Sequence, residues 1–282
     1  MEGIGTALGN ALSAMIYTPA AEDGDYTQDG LLYCGKCKTR RQMTLDLFGD
    51  GEFRRVPVMC DCEEQKHLQQ IAEDKARQEA ARIKHIRQQG IGNQSWLDAS
   101  FEHDDGRDEK ASAIARRYVE HFEDMSGENI GLMLYGGVGS GKTFLAACIA
   151  NALIDQGRKV LMDSMPSLVA GMGFGDDRAH MMHRLAGADL LILDDVGAER
   201  GTEYGVEQAY EIINTRYKSG KPLIVTTNMT PQMMTAEISA KSRGFDRLVE
   251  MCRPVIVKGE SRRSEIAKGK RDRMIEILEV GQ

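Results

Sequence analysis

Apolar residues are sparse at the start of the chain and gather into regular runs in its second half. Leu8, Leu12 and Ile16 fall four apart before an acidic, turn-prone stretch from Glu22 to Gly30, so residues 1–30 are expected to be a loosely ordered acidic tail with at most one short helix. Residues 31–62 carry short β-like segments with a turn at Gly49-Asp50-Gly51. Residues 63–89 contain neither proline nor glycine, and Leu68, Ile71, Ala72, Ala76, Ile83 and Ile86 leave only a thin apolar stripe. That pattern predicts one long, highly charged linker helix over 63–90, broken by Gly90 and Gly92.

Beyond residue 91 the period changes. Gly131–Tyr135, Lys159–Met162, Asp189–Leu193, Leu223–Thr227 and Pro254–Val257 are short apolar runs suited to strands buried on both faces. Between them, Phe144–Ile154 and Val206–Tyr217 repeat apolar residues at helical spacing, and Thr230-Pro231 reads as an N-cap followed by proline in the first turn. Strand and helix in alternation predict an α/β domain over 91–282, with a five-stranded parallel sheet flanked by helices.

Composition narrows the class. The chain has 282 residues, 41% hydrophobic and 28% charged, with a net charge of −7. No stretch approaches the roughly 18 uncharged apolar residues of a membrane span, and Met1-Glu2-Gly3 resembles neither a basic signal-peptide start nor a myristoylation site. The expectation is a cytoplasmic protein with no membrane partner. The acidic total hides an asymmetry: residues 91–240 hold 22 acids against 13 bases, whereas residues 241–273 hold 11 bases against five acids. The basic stretch leaves an anionic partner open.

The strongest chemical signal is Gly136-Gly137-Val138-Gly139-Ser140-Gly141-Lys142-Thr143, which fits the phosphate-loop pattern between an expected strand and an expected helix that continues with Phe144. Glycines let successive backbone N–H groups and the helix N-terminus converge on phosphates. Lys142 is expected to reach the β- and γ-phosphates, and the Thr143 hydroxyl to hold Mg2+. The run Leu190–Leu193 ends in Asp194 and Asp195, a magnesium partner and a candidate to polarise the attacking water, with Glu199 as a competitor for the second role. The next expected strand ends in Thr226-Thr227-Asn228, whose amide can orient that water. No N-K-x-D motif is present to read guanine, so ATP is the expected nucleotide.

A second signal precedes it. Cys34 and Cys37 form C-x2-C, and Cys60 and Cys62 form C-x-C. Four thiolates suit tetrahedral Zn2+, with His67 as a substitute for one of them, and a metal would stabilise a module too small to build its own core. Cys148 and Cys252 sit in apolar settings and read as core residues.

Together these features resemble the AAA+ ATPases, and more narrowly the DnaC/DnaI type of replicative helicase loader and its IstB-like relatives. The resemblance runs over residues 95–265 and rests on Leu190–Glu199, Ile212–Tyr217, Pro222–Asn228, Phe245–Leu248 and Gly259–Arg263. It implies a P-loop NTPase sheet behind a zinc-ribbon-like module and a charged helix. The arginine of Asp246-Arg247-Leu248 would act in trans on a neighbour's ATP, in an ATP-dependent oligomer, and Arg263 would contact the γ-phosphate in cis, with Arg262 as the alternative register. The partners implied are a hexameric replicative DNA helicase and single-stranded DNA, in a bacterial cell or a phage that infects one. An IstB-like transposition helper and an ATP-gated adaptor without hydrolysis are the other outputs such a chain could have. Asp195 stands where this superfamily usually has glutamate, which suggests a slow, switch-like ATPase.

Overall fold

The computed structural model describes residues 21–173, 175–198, 203–236 and 242–279, excepting the side chains of residues 242, 243, 263, 265, 266 and 279. The short helix expected around Leu8 to Ile16, and Glu199, lie outside the described residues. The chain divides into two compact units, Met1–Ala80 and Ala81–Gln282.

In the smaller unit, β1 (Tyr26–Gln28) pairs antiparallel with β2 (Leu31–Tyr33), and β3 (Gln42–Leu45) with β4 (Arg54–Pro57). Then α1 (Asp61–Gly90) begins. Only Cys34 and Cys60 are buried apolar residues among the described residues before α1, so apolar burial cannot hold these strands together. Arg41 does much of that work. Its side chain is 2% exposed, and its guanidinium donates to Asp25 at 2.5 Å and to Glu63 in the first turn of α1. Its backbone bonds Leu32 and Val58. Asp25 also accepts from the Gly35 N–H at 2.9 Å. Residues 25–28, assigned to the tail from sequence, are therefore part of the cysteine-bearing module, because Asp25 is the counter-ion of its buried arginine.

In the larger unit, β5 (Gly131–Tyr135), β6 (Val160–Ser164), β7 (Leu190–Asp194), β8 (Leu223–Thr227) and β9 (Cys252–Ile256) form one parallel sheet in the order β6-β7-β8-β5-β9. Alternate residues of each strand feed opposite faces. Leu132, Leu134, Ile192 and Ile224 pack with Tyr118 of α2 (Glu109–Glu120) and with Ile149 and Leu153 of α4 (Lys142–Asp155); α3 (Phe122–Gly127) joins α2 to β5. Met133, Leu191 and Val225 face the other way, against Met165 and Leu168 of α5 (Met165–Ala170), Leu185 of α6 (Asp176–Gly187), Ile212 of α7 (Glu203–Ser219), Met234 of α8 (Pro231–Ala236) and Leu248 of α9 (Ser242–Met251). The last described element is α10 (Arg262–Glu279). Pro254 is tolerated in β9 because that strand is an edge of the sheet. Thr230 caps α8 as expected, its Oγ1 accepting from the Met233 N–H at 3.2 Å. No described helix is long and apolar enough to cross a membrane.

At the edge where the strands begin, a fully buried Arg216 on α7 replaces what would be loose chain ends. Its guanidinium donates to the carbonyls of Pro222, Leu185, Ala188 and Asp189, at 2.6 to 3.1 Å. It thus ties the exit of α6 to the entries of β7 and β8, while burial pulls its pKa down to about 10. Replacing it with methionine (Arg216→Met) leaves several buried carbonyls without donors, each worth ~1–3 kcal/mol. The larger unit is expected to lose about 3 kcal/mol or more of stability, read as a fall in urea midpoint; an unchanged midpoint would refute this role.

Candidate functional site

The phosphate loop links β5 to α4 at the sheet edge where the strands end, where ligands of open α/β sheets bind. Its glycines are not equivalent. Gly139 (φ 79°) and Gly141 (φ 105°) occupy the left-handed region, and a Cβ on Gly139 would lie 2.3 Å from Ser261 Oγ. Gly137 has neither constraint: a Cβ there meets nothing within 4 Å. Gly141 caps α4, so the helix N-terminus opens onto the loop. Lys142, 5% exposed, points its Nζ at the oxygens of Gly136 (3.1 Å), Gly137 (2.8 Å) and Asn228 (2.9 Å).

Beneath the loop three elements are knotted at one carboxylate. Asp194 Oδ1, at the end of β7, accepts from Thr143 Oγ1 of α4 at 2.7 Å and from Thr226 Oγ1 of β8 at 2.5 Å. Asp194 is 3% exposed, and burial pushes its carboxyl up while the two hydroxyls pull it down. Thr226 Oγ1 in turn accepts the Asp195 N–H at 3.0 Å. Asp195 follows in the left-handed region (φ 54°), a conformation that non-glycine residues hold only where their surroundings enforce it. The backbone turn sends Asp195 into the cavity over the loop while Asp194 stays beneath it.

That cavity, of about 370 Å3, is bordered by Val138, Gly139, Gly141, Lys142, Thr143 and Phe144, by Asp195 and Asn228, and by Arg262. The sequence-derived residues from four separate stretches thus meet at one place. Arg262 is anchored there: it donates to the Ser140 carbonyl and, at 2.9 and 2.5 Å, to Asp105, whose carboxyl it holds down at about 2. The Arg263 side chain lies outside the described residues. Arg247 does not border the cavity. Its guanidinium lies over the rings of Tyr210 and Tyr217, 5.1 and 5.2 Å from their centroids, an arrangement that holds it by cation–π attraction.

In the smaller unit the Sγ atoms of Cys34, Cys37, Cys60 and Cys62 all lie within 4.8 Å of one another, and none is in a disulfide. Cys34 and Cys62 are 3.6 Å apart and Cys60 and Cys62 3.2 Å, close to the ~3.8 Å edge of a tetrahedron with 2.3 Å metal–sulfur bonds. Hydrogen bonding from Thr39 pulls the Cys37 thiol down to about 5, whereas burial pushes Cys60 up. His67 is exposed and outside this cluster, which among the described residues consists of the four cysteines.

Residues 69–269 match the protein family described as "IstB-like ATP binding protein". The chain belongs to this family. Among the relatives of this IstB-like protein, the replicative helicase loader DnaC of Escherichia coli strain K12 is 30% identical over 144 residues, 49% of this chain and 56% of the loader. The replicative helicase loader DnaI of Bacillus subtilis strain 168 is 25% identical over 186 residues, 60% of each chain. The chain therefore spans little more than half the length of these curated relatives. A crystal structure of DnaI superposes with a TM-score of 0.52 at 25% identity, covering 61% of this chain and 95% of that one. AAA+ architecture and kinship with DnaC-like loaders follow from this agreement.

Sequence reading missed the cavity's other border, Ser95, Trp96 and Ala99, which come from the segment between α1 and α2. Their one signal was a lone tryptophan in a polar stretch. The geometry separates glycines that a motif treats alike: Gly139→Ala is expected to weaken ATP binding at least about tenfold, since a left-handed alanine costs ~1–2 kcal/mol before the clash is added. Gly137→Ala should stay close to wild type in the same calorimetric titration. Equal losses would mean that backbone conformation does not govern the loop.

Proposed function

We propose that this IstB-like protein is an ATPase that loads a hexameric replicative helicase onto single-stranded DNA in the bacterial cytoplasm, with ATP state timing release. The observation that carries the ATPase part is the Thr143–Asp194–Thr226 knot under a phosphate loop. The loading part is supported by the named activity of the relatives and by the cysteine module ahead of the ATPase unit.

In this reading the loop N–H groups and Lys142 grip the nucleotide's phosphates, whose anionic oxygens replace the neutral carbonyls that Lys142 faces. The hydroxyl of Thr143 and the carboxylate of Asp194 are hard oxygen donors that suit Mg2+. The metal would supply neutralisation of the phosphates' negative charge. Asp195 polarises the attacking water and accepts its proton, and Asn228, held on Lys142 at 2.9 Å, orients it. Arg262, already at the cavity, takes the cis role assigned first to Arg263. Arg247, away from its own cavity, serves a neighbouring subunit's ATP, which makes the active form an oligomer. The shorter side chain of Asp195 keeps turnover slow. The four cysteines hold Zn2+, the smaller unit docks the helicase, and the basic stretch 241–273 contributes to single-stranded DNA binding.

Two outcomes are expected. Purified protein carries about one zinc per chain by atomic emission; chelation or Cys60→Ser removes it and melts the smaller unit, because its described residues include little apolar core before α1. A metal-free protein with an unchanged smaller unit would eliminate the zinc. In the second, protein and ATP are mixed with the host's replicative helicase and covalently closed single-stranded circles. Helicase should stay on the circle only when both Lys142 and the cysteine cluster are intact. Failure of wild type to retain it, with no helicase bound in any nucleotide state, would overturn the loader and redirect the search to a transposase.

A further inference from the structure

Buried arginine charge is ordinarily matched by a carboxylate or spent on carbonyls, as it is at Arg41, Arg178 and Arg216. Arg247 is treated differently. Its Nη1 is buried without a hydrogen-bond partner, and its guanidinium takes part in no ion pair among the described residues. It lies instead over Tyr210 and Tyr217 of α7, which are seven residues apart and therefore share one face of that helix. A ring holds a cation without neutralising it, because it carries a quadrupole and no net charge.

A carboxylate is nevertheless close by along α9. Glu250 follows Arg247 by three residues, and residues three apart on a helix are surface neighbours whose opposite charges attract. In this chain Glu250 is engaged elsewhere: the Tyr217 hydroxyl donates to its Oε1 at 3.1 Å. That bond to the Glu250 carboxylate pushes the pKa of the Tyr217 hydroxyl up, so the phenol stays protonated and remains a donor. One tyrosine thus acts twice. Its ring holds the arginine, and its hydroxyl occupies the neighbouring carboxylate that would otherwise take the arginine's charge.

We propose that Tyr217 is a positioning residue for Arg247: by bonding Glu250 it keeps that carboxylate off the guanidinium, and so preserves an unneutralised cation for the nucleotide phosphates of a second copy of this chain. The inference deepens, and rests on, the trans role given to Arg247 above. Charge matters there because negative charge is spread over the oxygens of the phosphoryl group being transferred, and a preorganised cation stabilises it. A guanidinium already paired with Glu250 would bring no net charge to that place. Tyr210 adds the second ring.

Hydrolysis per chain by the full-length protein is followed over a range of protein concentrations, at saturating ATP and magnesium. Trans action makes the rate per chain rise with concentration. Arg247→Ala should remove that rise and lower turnover at high concentration at least about tenfold, since an arginine of this kind is worth roughly a thousandfold or more in related sites. Tyr217→Phe keeps the ring and loses the hydroxyl. The freed Glu250 should then pair with Arg247, so turnover at high concentration falls about tenfold while calorimetric ATP affinity stays within about twofold of wild type. Removing the carboxylate as well, in Tyr217→Phe combined with Glu250→Gln, should bring turnover back to within about threefold of wild type. That recovery separates charge from packing, because the double variant regains no hydroxyl bond between α7 and α9. Wild-type turnover in Tyr217→Phe beside a defective Arg247→Ala would overturn the inference and leave the trans role standing. A defect in Tyr217→Phe that Glu250→Gln does not relieve would reduce Tyr217 to a packing residue and overturn it too. Turnover that Arg247→Ala leaves unchanged would sink the trans reading itself, and this inference with it.

Discussion

The carboxylate of Asp194 is the point on which the site depends. It is buried, and a buried carboxylate is costly unless its oxygens are bonded. The two hydroxyls that reach it come from α4 and β8, so satisfying one side chain brings the helix after the phosphate loop and the strand before Asn228 to the end of β7. The same Thr226 hydroxyl then fixes the Asp195 backbone in a conformation that faces the cavity. Loss of this knot would unhook three elements at the one place where they must agree to within hydrogen-bond distance.

The two units are held by different physics. In the larger one, a sheet apolar on both faces packs between two sets of helices, and polar bonds tidy its two edges: Asp194 where the strands end and Arg216 where they begin. Both residues are buried charged groups that tie loops rather than adding to apolar burial. Among its described residues the smaller unit has almost nothing apolar to bury before α1, and its coherence comes from Arg41 with its carboxylates and from four thiols in one cluster. Four adjacent thiols cannot all ionise without a cation between them.

Family membership and geometry meet at the nucleotide end of the larger unit and diverge elsewhere. The phosphate loop, the paired aspartates and the asparagine after β8 sit around one cavity, with an anchored arginine closing it. Arg247 lies apart, held over two tyrosines. The opposite wall of the cavity is built by irregular chain pinned with a single asparagine.

The five strands, their parallel arrangement and the phosphate loop were legible in the sequence because each is a local pattern: an apolar run, a helical period, a spacing of glycines before a lysine. So was the grouping of the four cysteines, since C-x2-C and C-x-C each hold two thiols close along the chain. Strand ends shifted by up to two residues, as at β9, where pairing with β5 rather than the apolar run sets the start. What only the tertiary structure decided were matters of distance between remote segments. Asp25 left the tail for the module because Arg41, 16 residues away, needed a counter-ion. Gly137 proved free where Gly139 is not, because Ser261 stands beside only one of them. Asn151 carries no local signature, and it meets the Trp96 carbonyl through a hydrogen bond across 55 residues of chain. A sequence records spacing along the backbone, and a buried polar group finds its partner through space.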